Sequence, residues 1–271
     1  MPPGSWLRPR HRRVGAGLVP ARAGPVVLAA CLFSSGCATA PLPRPAGPGD
    51  AAAALVLPAA AWAHQHLFRV SYSGSGRDGS GRLTLYLDRP GRYVLRAADA
   101  LGRTAWTLEA GEAGFLLVDW RAEVYCRGEG VLELTELDLG PLPPDSLPAV
   151  LMGYLPVAAP AGAVGPGGAF SFREALGRGW SGRVGDGRLA GWTLHRDGEA
   201  WVWWTRDGDG GILSHRRGEQ FRWRRVVSEP LAAPPPPLAP PEGFREIACD
   251  GTDLQELRQD QPPPGGGGAE A

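Results

Sequence analysis

Three features of the 271-residue sequence predict a mainly β fold, an antiparallel sheet curved into a closed or nearly closed barrel with a short helix across its mouth. Apolar and polar residues alternate through a succession of short runs, as expected of strands that bury one face. Turn-forming residues separate those runs. A single segment between two sets of runs switches to helical spacing.

The chain reaches these elements only after a long approach. Residues 1–36 carry Arg8, Arg10, Arg12, Arg13 and Arg22, no acid, and then the apolar run starting at Pro25, which is the layout of a secretory signal peptide. That run is shorter than the ~20 apolar residues that cross a bilayer. Arg12 and Arg13 are followed by Val-Gly-Ala-Gly, a poor match to a twin-arginine signal. Cys37, in the context Ser-Ser-Gly-Cys-Ala, resembles the lipidated cysteine of a bacterial lipoprotein. Cys31, in Leu-Ala-Ala-Cys, is the alternative. Ala38, not Asp, follows Cys37, which in such lipoproteins implies the outer membrane. Acyl chains at ~0.8 kcal/mol per buried CH₂ would anchor the protein there without a spanning segment.

Residues 37–63 then read as lipidated Cys, a Pro/Gly-rich tether and an Ala-rich segment in which Pro58 interrupts any long helix. Period two begins at His64. Phe68, Val70 and Tyr72 share one face, and Arg69 and Ser71 the other. Leu83, Leu85 and Leu87, then Tyr93 and Leu95, then Trp106 and Leu108, repeat the pattern, with turn formers at 88–92 and 109–114 between them. A second set follows over 189–227, with hairpin turns at Arg196–Glu199 and Asp207–Gly210, Trp192 among its apolar positions, and Phe221 and Trp223 on one face of its last run. Between the sets, Leu147, Val150, Leu151, Tyr154 and Leu155 fall at helical spacing, with Asp145 or Ser146 as N-cap and Pro148 in the first turn. Residues 131–139 fit strand or helix equally, and the Gly-rich stretch 158–182 has no evident place. The sheet domain spans 64–231, a Pro-rich extension 232–258 and a Gly/Pro-rich disordered tail 259–271.

Composition narrows the function. Gly 40 and Pro 28 make a quarter of the chain, consistent with tether and tail around a folded part. Lys+Arg 28 against Asp+Glu 28 gives no net charge, every basic residue is Arg, and loss of 1–36 leaves an acidic protein. Nucleic acid has no electrostatic motive to bind. Trp 10 against Tyr 5 and Phe 7 leans toward the residue suited to strands and lipid boundaries.

Catalytic and metal motifs are wanting. Gly74-Ser-Gly-Arg-Asp-Gly79 satisfies G-x-G-x-x-G, but a strand follows it where a dinucleotide site needs a helix, so it reads as a hairpin loop. His64 and His66 lie one residue apart without further ligands, His195 and His215 are isolated, and no G-x-S-x-G context occurs. No catalytic residue, metal site or cofactor is expected. Cys126 and Cys249 lack the neighbours of a metal site, which leaves a disulfide or free thiols in an oxidising compartment, the disulfide preferred. Leu101 stands beside Gly102 in a polar hairpin loop, where local packing is the simpler reading of a lone Leu.

Over roughly Leu67 to Leu231 the order of motifs resembles the LolB family of outer-membrane lipoproteins. Gly91–Cys126 is similar to the family's strand, Leu-Gly loop, strand, turn, strand segment. Leu142–Pro156 is similar to its Pro-rich approach to a helix ending in Gly-x-x-Pro, and Gly191–Gly208 to its next hairpin. The Ala-rich 50–63 replaces a longer polar helix of the family, and the extension bearing Cys249 is not typical of it.

The resemblance implies an incompletely closed antiparallel barrel, with an apolar interior that holds acyl chains and helices inside it or across its mouth. It also implies a monomer facing the periplasm from the outer membrane, receiving lipoprotein cargo from a carrier resembling LolA and inserting it into outer-membrane lipid. Phe68, Tyr72, Leu83, Leu85, Leu95, Trp106 and Trp192 would line the acyl-chain interior. Leu101 with Gly102 would be the membrane-contacting loop. The alternative is a non-catalytic scaffold or lipid-binding envelope lipoprotein on the same fold, its interior filled by its own side chains.

Overall fold

The computed structural model describes residues 48–74, 77–129, 132–133, 141–142, 146–175 and 177–249. The leader, both candidate lipidation cysteines and the tail lie outside them. Among the described residues two short helices, α1 (Pro48–Ala53) and α2 (Ser146–Met152), accompany fifteen strands. The first six are β1 (His64–Gly74), β2 (Arg77–Arg89), β3 (Arg92–Asp99), β4 (Thr104–Gly111), β5 (Gly114–Asp119) and β6 (Val124–Gly128). A two-residue pair, β7 (Leu132–Glu133) with β8 (Pro141–Leu142), precedes α2. The rest are β9 (Ala169–Arg173), β10 (Gly179–Gly185), β11 (Arg188–Arg196), β12 (Glu199–Asp207), β13 (Gly210–His215), β14 (Gln220–Pro230) and β15 (Arg245–Glu246).

Thirteen strands form one open sheet in the order β15-β6-β5-β4-β3-β2-β1-β14-β13-β12-β11-β10-β9. The fold is thus the mainly β, incompletely closed antiparallel sheet with short helices that the sequence predicts. Two meanders, β1 to β6 and β9 to β14, meet where β1 pairs with β14. Every pairing in this sheet is antiparallel except β15 on β6. The Gly-rich stretch 158–182 supplies β9, most of β10 and the isolated bridge Val164 to Phe170, so it opens the second meander.

One face of the sheet carries the core. Register sets His66 and Phe68 beside Leu85 and Leu83, Leu85 beside Leu95, and Leu95 beside Leu108. On the other meander Trp180, Trp192, Trp204 and Trp223 are fully buried. Trp192 lies 5.3 Å from Trp180 edge to face and 6.4 Å from Trp204 in a stacked arrangement, separations at which aromatic pairs attract. Gly211 makes room for them, since a Cβ there would fall on the Trp204 indole nitrogen.

α2 lies against this concave face. Its stripe of Leu147, Val150 and Leu151, with Leu155 beyond, joins the same core, each such burial stabilising by roughly 1.5–3 kcal/mol. The Trp223 indole donates to the Leu151 carbonyl at 2.9 Å. Ser146 lies inside the helix, and its hydroxyl donates to the Pro156 carbonyl at 2.6 Å. Gly153, at φ +82°, ends the helix by turning left-handed, and the Tyr154 N–H reaches back to the Ala149 carbonyl.

Beyond β14 the Pro-rich segment runs along the other face. Arg92, paired with Asp88 and Glu109, donates to the Pro235 carbonyl, and the Leu238 N–H donates to Glu109. Phe244 then meets the Trp120 ring edge to face at 5.7 Å. β15 adds to β6, and Cys249 forms a disulfide with Cys126 at a Cα separation of 5.4 Å, within the usual range for a bridge.

Candidate functional site

The strand directions gather certain turns at one rim. The β3–β4, β5–β6, β11–β12 and β13–β14 turns lie at the end of the sheet where β1 finishes, and the β2–β3, β10–β11 and β12–β13 turns lie at the opposite end. At the first rim Leu101 is 80 % exposed, the highest value of any large apolar side chain among the described residues. Its turn is firmly held. The Asp99 carboxylate accepts from the backbone N–H of Leu101 and of Arg103 and from the Arg103 and Arg121 guanidiniums, while the Gly102 N–H donates to the Asp99 carbonyl. Burial pulls the Asp99 carboxyl upward, but these hydrogen bonds and the Arg103 charge outweigh it and hold it below its ordinary range. Gly102 sits at φ +83°, which an L side chain adopts only with strain. The turn thus presents Leu101 outward with Arg103 and Arg121 beside it. Trp120, in the neighbouring turn, is 37 % exposed and anchored by its indole N–H to Thr107.

Along the same rim Arg196, Arg216 and Arg217 surround the Trp201 ring at 4.6, 4.3 and 6.0 Å from its centre. Sequence reasoning missed this group, because its members come from two strands and a turn. The alternation of β12 was its only visible signal.

The seven residues expected to line an acyl interior share the concave face by register. Phe68, Leu83, Leu85, Leu95 and Trp192 are buried in the core, Trp106 packs on its margin, and half-buried Tyr72 borders a recess of about 10 Å³ with Leu213 and Phe221. In the conformation described, the protein's own side chains and α2 occupy that face. Three of its indoles, on Trp180, Trp192 and Trp204, have buried N–H groups with no acceptor among the described residues. An unpaired buried donor of this kind costs roughly 1–3 kcal/mol. His66 is likewise buried with both ring nitrogens unpartnered. Its pKa is lowered to about 4, chiefly by burial and then by the charges of Arg225 and His64.

The remaining sequence candidates are dispersed. Gly74 pairs with Arg77 across the β1–β2 hairpin, so a strand follows the glycine motif. The Ser181 hydroxyl and His195 Nε2 are hydrogen-bonded at 2.8 Å across β10 and β11. They lie on the face away from the core, and no carboxylate engages the His195 ring among the described residues. A nucleophile needs that orienting group and a pocket for its substrate. Among the described residues no three His, Cys, Asp or Glu side chains gather as a metal site.

No family model matches the sequence, and no curated protein matches it. Solved structures do show similarity. A LolA superfamily protein from Nitrosomonas europaea aligns at TM-score 0.39 and 9% identity over 68% of this chain and 92% of its own. The domain of a putative outer-membrane lipoprotein-sorting protein from Vibrio parahaemolyticus aligns at TM-score 0.39 and 9% identity over 64% and 87%. An uncharacterised conserved protein from Thermus thermophilus aligns at TM-score 0.28 and 10% identity over 69% and 91%. Structures that this chain resembles thus include LolA superfamily proteins, and similarity at this level says nothing of ligand or activity.

Proposed function

We propose that this chain is a non-catalytic lipoprotein, anchored through Cys37 in the outer membrane and facing the periplasm. It takes up the acyl chains of lipoprotein cargo from a carrier and inserts them into the membrane. The observation that carries the reading is Leu101, an apolar side chain held almost fully in solvent by a turn braced on the Asp99 carboxylate. Such a residue contributes little to folding, whereas in acyl chains it gains roughly 1.5–3 kcal/mol. Arg103, Arg121 and Trp120 beside it suit the head-group layer.

The concave face supports the rest. Acyl chains would take the place of α2 over Phe68, Leu83, Leu85, Leu95, Trp106 and Trp192, with Tyr72 at the rim, an exchange of one apolar occupant for another. Carbonyl groups of the cargo would satisfy the unpaired indole donors. A second reading, an envelope scaffold, is favoured by the filled interior of the conformation described.

The test is transfer of a fluorescent triacylated peptide from the purified protein to liposomes. Binding of the peptide with slow transfer by Leu101→Glu supports the insertion role. Absence of binding supports the scaffold, and unimpaired transfer by Leu101→Glu removes the loop from the mechanism.

A further inference from the structure

At the opposite rim from Leu101 a cavity of about 190 Å³ opens between the end of α2 and strands β11, β12 and β14. Arg188, Arg206 and Arg225 line it, against one carboxylate, that of Asp209. Arg206 is the fixed member. Its Nε donates to the Leu189 carbonyl at 2.8 Å and its Nη2 to the Gly153 carbonyl at 2.9 Å. Both acceptors are uncharged, and Nη1 has no acceptor among the described residues. The Arg225 backbone N–H donates to the Asp209 carbonyl at 3.3 Å, but its guanidinium stays 3.8 Å from the Asp209 carboxylate, which is 66% exposed. Arg188 has no ion pair among the described residues. Burial, followed by the charges of Arg188 and Arg225, disfavours the charged form of Arg206, so the cluster carries an excess of positive charge that the residues around it do not neutralise.

We propose that Arg188, Arg206 and Arg225 bind a phosphate-type oxyanion in this cavity. Guanidinium groups offer forked donors that match the oxygens of a phosphate, and three from separate strands suit a tetrahedral anion better than they could a planar carboxylate. The size limits the ligand. Pockets for drug-sized molecules measure roughly 300–1,000 Å³, so this one takes a head group and the first carbons attached to it, not acyl chains. Leu151, Met152 and Leu189 on its wall give those carbons an apolar surface. The end of α2 forms one wall, so the site belongs to the cargo-free conformation in which α2 covers the concave face, and the titration below is made on that form.

The oxyanion could belong to a phospholipid head group or to a free phosphate, and two probes distinguish them. The full chain, purified in non-ionic detergent at fixed ionic strength, is titrated calorimetrically with inorganic phosphate and with dihexanoyl phosphatidic acid below its micelle concentration. Arg206 also holds α2, so the variants are Arg188→Gln and Arg225→Gln, with thermal unfolding measured on each to show that the fold is retained. The expected result is saturable 1:1 binding that each variant weakens about tenfold, as loss of one charge-assisted contact implies. Tenfold tighter binding of the phosphatidic acid assigns the site to a lipid head group, and equal binding assigns it to free phosphate. No binding of either probe, or binding that neither variant weakens, overturns the proposal.

Discussion

Acidification should weaken this fold through His66. The residue is 2 % exposed, neither ring nitrogen has a well-formed hydrogen bond, and its pKa lies at about 4 against an ordinary 6.5, because burial, Arg225 and His64 disfavour the imidazolium more than the nearby Ala61 carbonyl favours it. The unfolded chain therefore takes up a proton between pH 6.5 and 4 that the folded chain refuses, and stability falls as pH drops through that window. Above pH 6.5 the contribution is flat, and below about 4 it is fully lost. At ~1.4 kcal/mol per pH unit the whole interval is worth about 3 kcal/mol, and about 2 kcal/mol is already gone at pH 5. Urea unfolding of the oxidised protein and of His66→Leu between about pH 4.5 and 7.5 measures it. The variant removes a buried, unpaired polar group, so it should match or exceed the parent at neutral pH and lose about 2 kcal/mol less than the parent on going to pH 5. A parent-to-variant difference that stays constant across the range would refute the reasoning.

Leu101→Glu should leave the unfolding midpoint unchanged while slowing cargo transfer to liposomes, since the side chain touches little of the protein. Reducing the Cys126–Cys249 bridge, which spans 123 residues, should cost ~3–5 kcal/mol on the chain-entropy model, read as the drop in denaturation midpoint on adding a reductant. Trp192→Ala should lose roughly 3–5 kcal/mol, because it empties the middle of the indole stack, and calorimetry would show it as a lower Tm. Gly211→Ala should be destabilising despite adding only a methyl group, since that group would fall on the Trp204 indole, and a Tm equal to the parent's would contradict the packing described.

Most of the sheet was legible because its strands bury one face each, and the period-two runs from Phe68 to Trp223 are the direct trace of that burial. The α2 stripe was legible for the same reason at a different period. What escaped was whatever depends on distant partners. Phe170 and Phe172 alternate as strand residues do, yet the glycines around them mask the signal. The Arg188, Arg206 and Arg225 cluster comes from three strands, each Arg reading alone as an ordinary surface charge. Cys126 and Cys249 could be proposed as partners by elimination, but only the Pro-rich segment lying along the sheet brings them within bonding distance. Alternation also fixed which residues share a face without revealing that α2 fills the space above it.

The pairing of β1 with β14 governs how the chain can assemble. β1 to β6 emerge first during synthesis, and they can zip into a six-stranded meander from local hairpins alone. The partners for the free edge of β1 lie far along the chain, with Pro230 opposite His64 and Gln220 opposite Ser73. That edge must wait, exposed, while the second meander is delivered. Topologies with so distant a seam fold slowly, and a waiting edge is a template for pairing with another chain. A chain truncated before β14 should therefore aggregate through β1, whose free edge stays unpaired until the last long strand arrives.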